Sequence, residues 1–285
     1  MAARSDNRKT GLLRRLASTL LGTGSRVNNG YWKRELRRKR RDYAGFLTDY
    51  KISSVQEAGV AGKRLLASSI PSQELEYASE IAFAAPDDPL VSTYADRAIA
   101  LCEILSSLDR WEYWANGDEM LAAKSKGQVS RCLAYATWLK NGVLDFQLLR
   151  EAYSDLWLAL GRLIENPDYE WDDLKEGLHL SLLLLLEVLG PEGAGLQPPP
   201  QRAKVREVPE TYFRAIEDLR KTGPADPATW KSFSDAFELI RHPDLKTFPG
   251  ELPLLRIEWG ILFCRGTNPP TFMPTPKDVL GAIGR

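Results

Sequence analysis

The chain has 285 residues, with 38 Lys plus Arg balanced by 38 Asp plus Glu, so that its formal net charge is zero. Hydrophobic residues make up 44% and charged residues 27%, which is the composition of an ordinary globular protein. This composition excludes a wholly disordered chain, a collagen-like repeat and a multispanning membrane protein.

The charge is distributed unevenly along the chain. Residues 1–51 hold 14 Lys or Arg and 4 Asp or Glu, a local charge of +10, and residues 52–285 therefore carry −10. Apolar residues recur at helical spacing in 11–21 and 31–50. We therefore expect residues 1–51 to form a basic helical arm, and such a charge asymmetry indicates an electrostatic partner.

Helical patterns continue through the acidic part of the chain. Pro71, Pro86 and Pro89 mark expected helix starts, because proline is favourable in a first turn and breaks a helix interior. A helix is predicted over residues 119–140, ended by Asn141 and Gly142, since glycine tolerates the left-handed conformation of a C-terminal cap.

Two further helices complete the predicted main body, residues 52–190. The helix over 145–165 has one apolar face, formed by Leu148, Leu149, Ala152, Leu156, Ala159, Leu163 and Ile164. The helix over 171–189 is apolar nearly all round. A helix of this kind is buried, so we place it at the centre of the core.

The last third of the chain changes in composition. Fourteen of the 18 prolines lie at or beyond Pro191, and residues 191–208 have the composition of a linker. A C-terminal helical subdomain with an extended tail is predicted for 209–285, with a helical pair over 209–222 and 226–241. The segment 251–264 is compatible with either a helix or a strand.

No strand alternation recurs along the sequence, which predicts an all-α fold. We expect a multi-helix antiparallel bundle or an irregular array resembling an α-solenoid, with a proline-rich C-terminal third. Cys102, Cys132 and Cys264 are odd in number and widely spaced, which is typical of reduced thiols rather than of a disulfide framework. Neither a secretory signal nor a transmembrane segment is recognised, so a cytoplasmic protein is expected.

The search for catalytic motifs predicts a protein that is not an enzyme and that uses no cofactor or metal. Glu176 and His179 match one Glu-x-x-His element of a helical di-iron site, but such a site needs two copies and two further glutamates. His242 has its nearest preceding glutamate four residues away, which is the wrong spacing. We therefore interpret His179 as a packed helix residue.

The basic arm allows several interpretations. Its densest charge is in one run, Arg34, Arg37, Arg38, Arg40 and Arg41. These side chains could neutralise nucleic-acid phosphates or bind an anionic membrane surface, and a mitochondrial presequence is conceivable. Alternatively, the arm docks on the acidic body of its own chain, which carries an opposite charge of equal size.

Two segments of the acidic body, 109–119 and 166–173, mix carboxylates with large aromatic side chains. Their candidate partner-binding residues are Trp111, Glu112, Trp114, Asp118, Glu119, Asp168, Tyr169 and Glu170. Trp and Tyr anchor protein interfaces, and carboxylates steer a basic partner toward them. The alternative is that the acids stabilise helix N-termini and the aromatic side chains belong to the core.

These two segments and the helix over 171–189 give residues 52–265 a general character that resembles the helical immunity proteins of bacterial polymorphic toxin systems. The resemblance implies a non-catalytic protein that occludes the active site of a cognate toxin. It does not explain the basic arm. The other hypothesis is therefore a helical adaptor that attaches to nucleic acid or an anionic membrane through residues 1–51.

Overall fold

The fold is taken from a computed structural model that describes residues 71–72, 74–79, 82, 88–106, 117–166, 172–200, 207–223, 226–241, 252–266 and 274–283. All regular secondary structure within these ranges is helical, which confirms the predicted all-α fold. The helices are α1 (Pro89–Ser106), α2 (Glu119–Asn141), α3 (Phe146–Glu165), α4 (Asp172–Leu189), α5 (Glu207–Thr222), α6 (Pro227–Arg241), α7 (Leu252–Gly266) and α8 (Pro276–Ile283), with a 3-10 turn at Gly190–Gly193 between α4 and α5.

Helix boundaries follow local capping chemistry. Helix α1 begins at Pro89, as predicted, and the preceding Asp88 carboxylate accepts a hydrogen bond from the Leu90 N–H at 2.9 Å. Helix α2 ends at Asn141 and is capped by Gly142, whose φ of 73° lies in the left-handed region that glycine adopts without strain. The Gly142 N–H donates to the Trp138 carbonyl at 2.7 Å and so completes the predicted cap.

Helices α2 and α3 form a tightly packed antiparallel pair. The connection between them is short, and the Asp145 carboxylate caps α3 by accepting from the Gln147 and Leu148 N–H groups. At the crossing, a Cβ added to Gly127 would lie 2.9 Å from Leu156 Cγ and 3.0 Å from the Ala152 carbonyl oxygen. Glycine at position 127 therefore allows the two helix backbones to approach closely.

The apolar face predicted for α3 is largely correct. Most of its residues are buried, namely Leu149, Ala152, Leu156, Ala159 and Leu163. The prediction is wrong for Ile164, which lies near the helix end and has 46% of its surface exposed. Its neighbour Leu163 is fully buried, so the core-facing side of the last turn is the side that bears Leu163 and not Ile164.

Helix α4 runs through the core, as the all-round apolar pattern predicts. Its residues 176–185 are all buried, and the helix packs against α3, α5 and α7. Helix α7 resolves the ambiguity of segment 251–264 in favour of a helix, and it is also buried on most of its faces. Two nearly all-apolar helices therefore cross the interior together, which explains why neither shows a clear amphipathic period.

The C-terminal helices α6 and α7 are joined to each other through aromatic side chains. The Phe233 ring of α6 and the Trp259 ring of α7 have centroids 4.6 Å apart, and Phe237 stacks on Phe263 with centroids 4.5 Å apart. The Trp230 ring lies over Gly266, where a Cβ would come within 2.0 Å of a ring carbon. Helix α6 is thus seated on the last turn of α7.

The boundaries of the four predicted segments, 1–51, 52–190, 191–208 and 209–285, remain predictions. The basic arm, residues 1–51, lies outside the described residues. Helices on both sides of residues 191–208 contribute to one continuous hydrophobic core cluster. Within the described ranges, no helix is both long and apolar enough to cross a membrane.

Candidate functional site

Two of the predicted partner-binding residues, Asp118 and Glu119, begin α2. Asp118 has extended backbone angles, and its Oδ1 accepts a hydrogen bond from the Leu121 N–H at 2.9 Å. This is the geometry of an N-terminal helix cap, which satisfies one of the unpaired N–H groups of the first turn. The Asp118 carboxylate therefore has a structural role, whatever else it contacts.

Glu119 joins the start of α2 to the end of α3. Its Oε2 lies 3.0 Å from Arg162 Nη2, and Arg162 Nη1 lies 3.4 Å from Oε2 of Glu165. The glutamate side chains are 61% and 71% exposed respectively. One arginine thus sits between two exposed carboxylates at one end of the helix pair, and we call Glu119, Arg162 and Glu165 the acidic edge.

The other predicted site residues lie outside the described residues. They are Trp111, Glu112, Trp114, Asp168, Tyr169 and Glu170, together with Arg34, Arg37, Arg38, Arg40 and Arg41 of the basic arm. The first segment joins the described body at residue 117 and the second leaves it at 166, so their attachment points both adjoin the acidic edge.

A second polar constellation lies inside the core and was not predicted from the sequence. Arg131 of α2 and Glu258 of α7 form an ion pair in which both side chains are 0% exposed. Arg131 Nε donates to Glu258 Oε1 at 2.7 Å, and Arg131 Nη2 donates to Glu258 Oε2. This two-point geometry is the strong form of an arginine–carboxylate pair.

Two hydroxyl groups complete this buried polar cluster, which consists of Arg131, Tyr135, Ser181 and Glu258. The Tyr135 hydroxyl donates to Glu258 Oε1 at 2.8 Å, and Arg131 Nη1 donates to Ser181 Oγ of α4 at 3.1 Å. Burial raises the pKa of Tyr135 well above its ordinary value, and the nearby Glu258 charge raises it further. The tyrosine therefore remains a neutral donor to the carboxylate.

The geometry of the cluster suits a structural role. It connects α2, α4 and α7 at one point, and the groups named donate to or accept from one another. Both charges are satisfied in this arrangement of α2, α4 and α7, whereas a shift of one helix would leave a buried charge without its partner. The sequence contained a signal for one member only, since Glu258 lies in the largely apolar stretch 252–264, whereas the residues before Arg131 are mostly polar.

The C-terminal end of α4 is held by further polar contacts. Arg265 Nη1 of α7 donates to the carbonyl oxygens of Glu187 and Val188 at 3.3 and 2.8 Å. The Glu187 carboxylate lies 2.9 Å from Arg220 of α5. Burial raises the pKa of Glu187, and the Arg220 charge partly opposes this shift. Cationic side chains at a helix C-terminus satisfy its last carbonyls and complement the helix dipole.

His179 packs in the core, as interpreted from the sequence. Its ring meets the Phe213 ring edge-on, with centroids 5.3 Å apart and planes at 87°. Among the residues described, no group of three His, Cys, Asp or Glu side chains is arranged to hold a metal ion. His242 lies outside that part of the chain.

All three cysteines are free thiols with buried side chains. Burial raises the pKa of Cys102 well above its ordinary value, and a hydrogen bond with Cys132 adds to the effect. The pKa of Cys264 is raised to about 11, mainly by burial. Because the thiolate is the reactive form, these shifts keep the Cys102 and Cys264 thiols unreactive.

Comparison with known proteins adds no further constraint on the site. No family model, no curated protein and no solved structure matches this chain.

Proposed function

We propose that the chain is a non-catalytic binding protein, namely an immunity protein that neutralises a cognate basic toxin, such as a nuclease. It would act in the cytoplasm by covering the active site of the toxin with an acidic, aromatic surface. The observation that carries the proposal is the acidic edge, because Arg162 bridges Glu119 and Glu165 where both acidic-aromatic segments join the body.

The acidic edge supports the proposal by bringing separate parts of the sequence together. Trp111 and Tyr169 are 58 positions apart in the chain, yet each belongs to a segment attached at this edge. An interface needs its aromatic anchors and steering charges on one contiguous surface. The antiparallel pairing of α2 and α3 supplies the geometric basis for such a surface.

The rigidity of the supporting helices is a second argument. Helices α2 and α3 are joined by the close contact at Gly127 and by an ion pair of 3.5 Å between Lys126 and Asp155. A rigid base lowers the entropy lost when a surface binds its partner. The net charge of −10 over residues 52–285 favours a basic partner and accelerates its encounter.

The decisive experiment uses the product of the gene immediately upstream. That protein is expressed in bacteria alone and together with the full chain, and survival is measured. The proposal expects the neighbour to be lethal alone and harmless with the chain, and expects the purified proteins to bind at a 1:1 ratio in calorimetry. A lethal neighbour that the chain neither binds nor neutralises would contradict the proposal, as would a harmless one.

Variants then test the surface itself. Trp111→Ala should weaken binding by roughly 30-fold or more, the effect of removing an aromatic anchor. Glu119→Lys should mainly lower the association rate, because peripheral charges act on the encounter. Asp235→Lys is the matched control. Like Glu119, Asp235 is an exposed carboxylate in an ion pair, but it lies on α6 and its partner is Lys231. Equal effects of the two charge reversals would exclude the acidic edge from the interface.

A further inference from the structure

The proline-rich residues 194–200 are hydrogen-bonded to the helical body. We call these residues the proline strap. They follow the 3-10 turn, and Ala194, with φ −57° and ψ 131°, opens a tight turn that the Leu196 N–H closes by donating to the Gly193 carbonyl at 3.1 Å. Gly195 has a φ of 85°, and residues 196–200 then continue without helix or strand. These residues belong to the predicted linker 191–208, and they are hydrogen-bonded to α3.

The strap is fixed by donors from one face of α3. The Tyr153 hydroxyl donates to the Gln197 carbonyl at 2.5 Å, and Trp157 Nε1 donates to the Pro198 carbonyl at 3.0 Å. One turn earlier, Arg150 Nη1 donates to the Glu192 carbonyl and lies 3.4 Å from the Ala194 carbonyl. Positions 150, 153 and 157 share one helix face, since residues three and four apart are neighbours on a helix.

The donors of α3 contact the backbone of this segment rather than its side chains. All four acceptors are backbone carbonyl oxygens, those of Glu192 and Ala194 in the turns and those of Gln197 and Pro198 in the proline run. In that run each proline fixes its own φ and favours extended, polyproline II backbone in the residue before it. A polyproline II chain has no internal hydrogen bonds, so its carbonyls are open to outside donors, and proline lowers the entropy lost on binding. Grooves with Tyr and Trp donors bind proline-rich peptides in this way.

We propose that the α3 face formed by Arg150, Tyr153 and Trp157 is a binding site for polyproline II segments. In the free chain its own strap occupies the site, and a proline-rich segment of a partner protein binds there by displacing the strap. The strap suits displacement because Gln197 and Pro198 are exposed and Pro199 and Pro200 are half-buried. Because the donors bind backbone carbonyls, they do not distinguish the strap from another proline-rich chain.

The strap is covalently attached to the chain, and this attachment lowers the affinity that we expect of the unmodified chain for an added peptide. A covalently attached segment competes at an effective concentration in the millimolar range. An added peptide should therefore bind weakly to the wild-type chain and more tightly when the strap is weakened. Replacing Pro198, Pro199 and Pro200 with glycine weakens the strap, because the freed chain gains conformational entropy.

The probe is a fluorescein-labelled peptide with the sequence of residues 194–200, Ala-Gly-Leu-Gln-Pro-Pro-Pro, measured by fluorescence anisotropy. The full-length variant with three glycines should bind it at least 10-fold more tightly than wild type does. A control peptide with the prolines replaced by glycine should bind at least 10-fold more weakly. Equal binding of the two peptides, or equal binding by the two proteins, would overturn the proposal.

Variants of α3 test the donors. Added to the strap variant, Tyr153→Phe and Trp157→Phe should each reduce peptide affinity several-fold, because each removes one hydrogen-bond donor. Trp230→Phe is the matched control, a half-buried tryptophan whose ring packs on Gly266 and not on the strap. A loss that is equal for Trp157→Phe and Trp230→Phe would show a general effect on folding and would refute the site.

A measurement on the unmodified chain keeps the proposal testable if the strap variant fails to fold. A nitroxide-labelled peptide at millimolar concentration should broaden the indole N–H resonance of Trp157 and leave that of Trp230 unchanged. An unchanged Trp157 signal would overturn the proposal directly. Circular dichroism at 222 nm checks that each variant remains helical.

Discussion

Arg131 and Glu258 are separated by 127 positions in the sequence and meet as a fully enclosed ion pair in the core. Burying two charges is unfavourable in itself, and the mutual hydrogen bonds offset that penalty only while both partners are present. The pair therefore makes the contact between α2 and α7 specific, because a shift of either helix would leave one charge unpaired in apolar surroundings.

Removing both partners should cost less than the sum of the two single removals. Glu258→Gln leaves the Arg131 guanidinium buried without a counter-ion, and we expect a loss of about 3–5 kcal/mol in the free energy of unfolding. Arg131→Met should cost a similar amount. The double variant should cost about 1–3 kcal/mol less than the sum of the two, measured by urea unfolding in a double-mutant cycle. Simple additivity would mean that the two side chains act independently.

Replacement by alanine should have opposite effects on stability at two glycines, Gly127 and Gly161. Gly127→Ala places a methyl group against Leu156 and the Ala152 carbonyl, and we expect a loss of about 1–3 kcal/mol. Gly161→Ala meets nothing within 4 Å in the interior of α3 and should stabilise by about 0.5–1 kcal/mol. Thermal unfolding of the two variants side by side measures both. Equal shifts in the same direction would disprove the close helix crossing at position 127.

The burial of Tyr153 should make the stability of the protein sensitive to alkaline pH. Burial raises the pKa of Tyr153 from its ordinary value of 10.0 to about 12, and the Arg220 charge partly opposes the shift. The folded chain therefore holds this proton more tightly than the unfolded chain does. The associated stability is fully present below pH 10 and is lost as the pH rises through about 12, with a total of roughly 2 kcal/mol.

The measurement is the unfolding free energy of wild type and Tyr153→Phe between pH 9 and pH 12. The gap between the two proteins should narrow over this interval, because phenylalanine has no proton to lose. A constant gap would show that the Tyr153 hydroxyl does not titrate with the raised pKa.

The buried thiols should resist modification in the folded protein. With a pKa of about 11, Cys264 is only about 0.1% thiolate at pH 8, and Cys102 and Cys132 are fully enclosed. Fewer than one thiol per chain should react with Ellman's reagent within minutes in the native state. All three should react in guanidinium chloride. Rapid native reaction of two or more thiols would contradict the burial.

The sequence predicts most of the fold where the determining chemistry is local. The start of α2 at Glu119 and its end before Gly142 follow from capping residues that are adjacent in the chain. Segment 251–264 stayed ambiguous because α7 is apolar on nearly all sides and has no amphipathic period. Only the tertiary context, with α4 and α2 packed around it, selects the helix.

The candidate site could be predicted less completely, for a related physical reason. The exposure of Glu119 follows from its position in a first turn, whereas its pairing with Arg162 depends on the antiparallel packing of two helices. The strap was interpreted as a linker because its composition is typical of one. Its attachment depends on Tyr153 and Trp157, which sequence periodicity alone does not pair with a particular loop.

The separation of Arg131 from Glu258 also governs how the protein is made. A ribosome that adds about 5–20 residues per second needs roughly 6 to 25 s to synthesise the chain between the two residues. During that interval Glu258 has not yet been synthesised. Arg131 therefore has no counter-ion, and α2 cannot adopt its final packing. The completed core therefore forms only after α7 has emerged, and a nascent chain released before residue 258 would expose its central helices to chaperones and proteases.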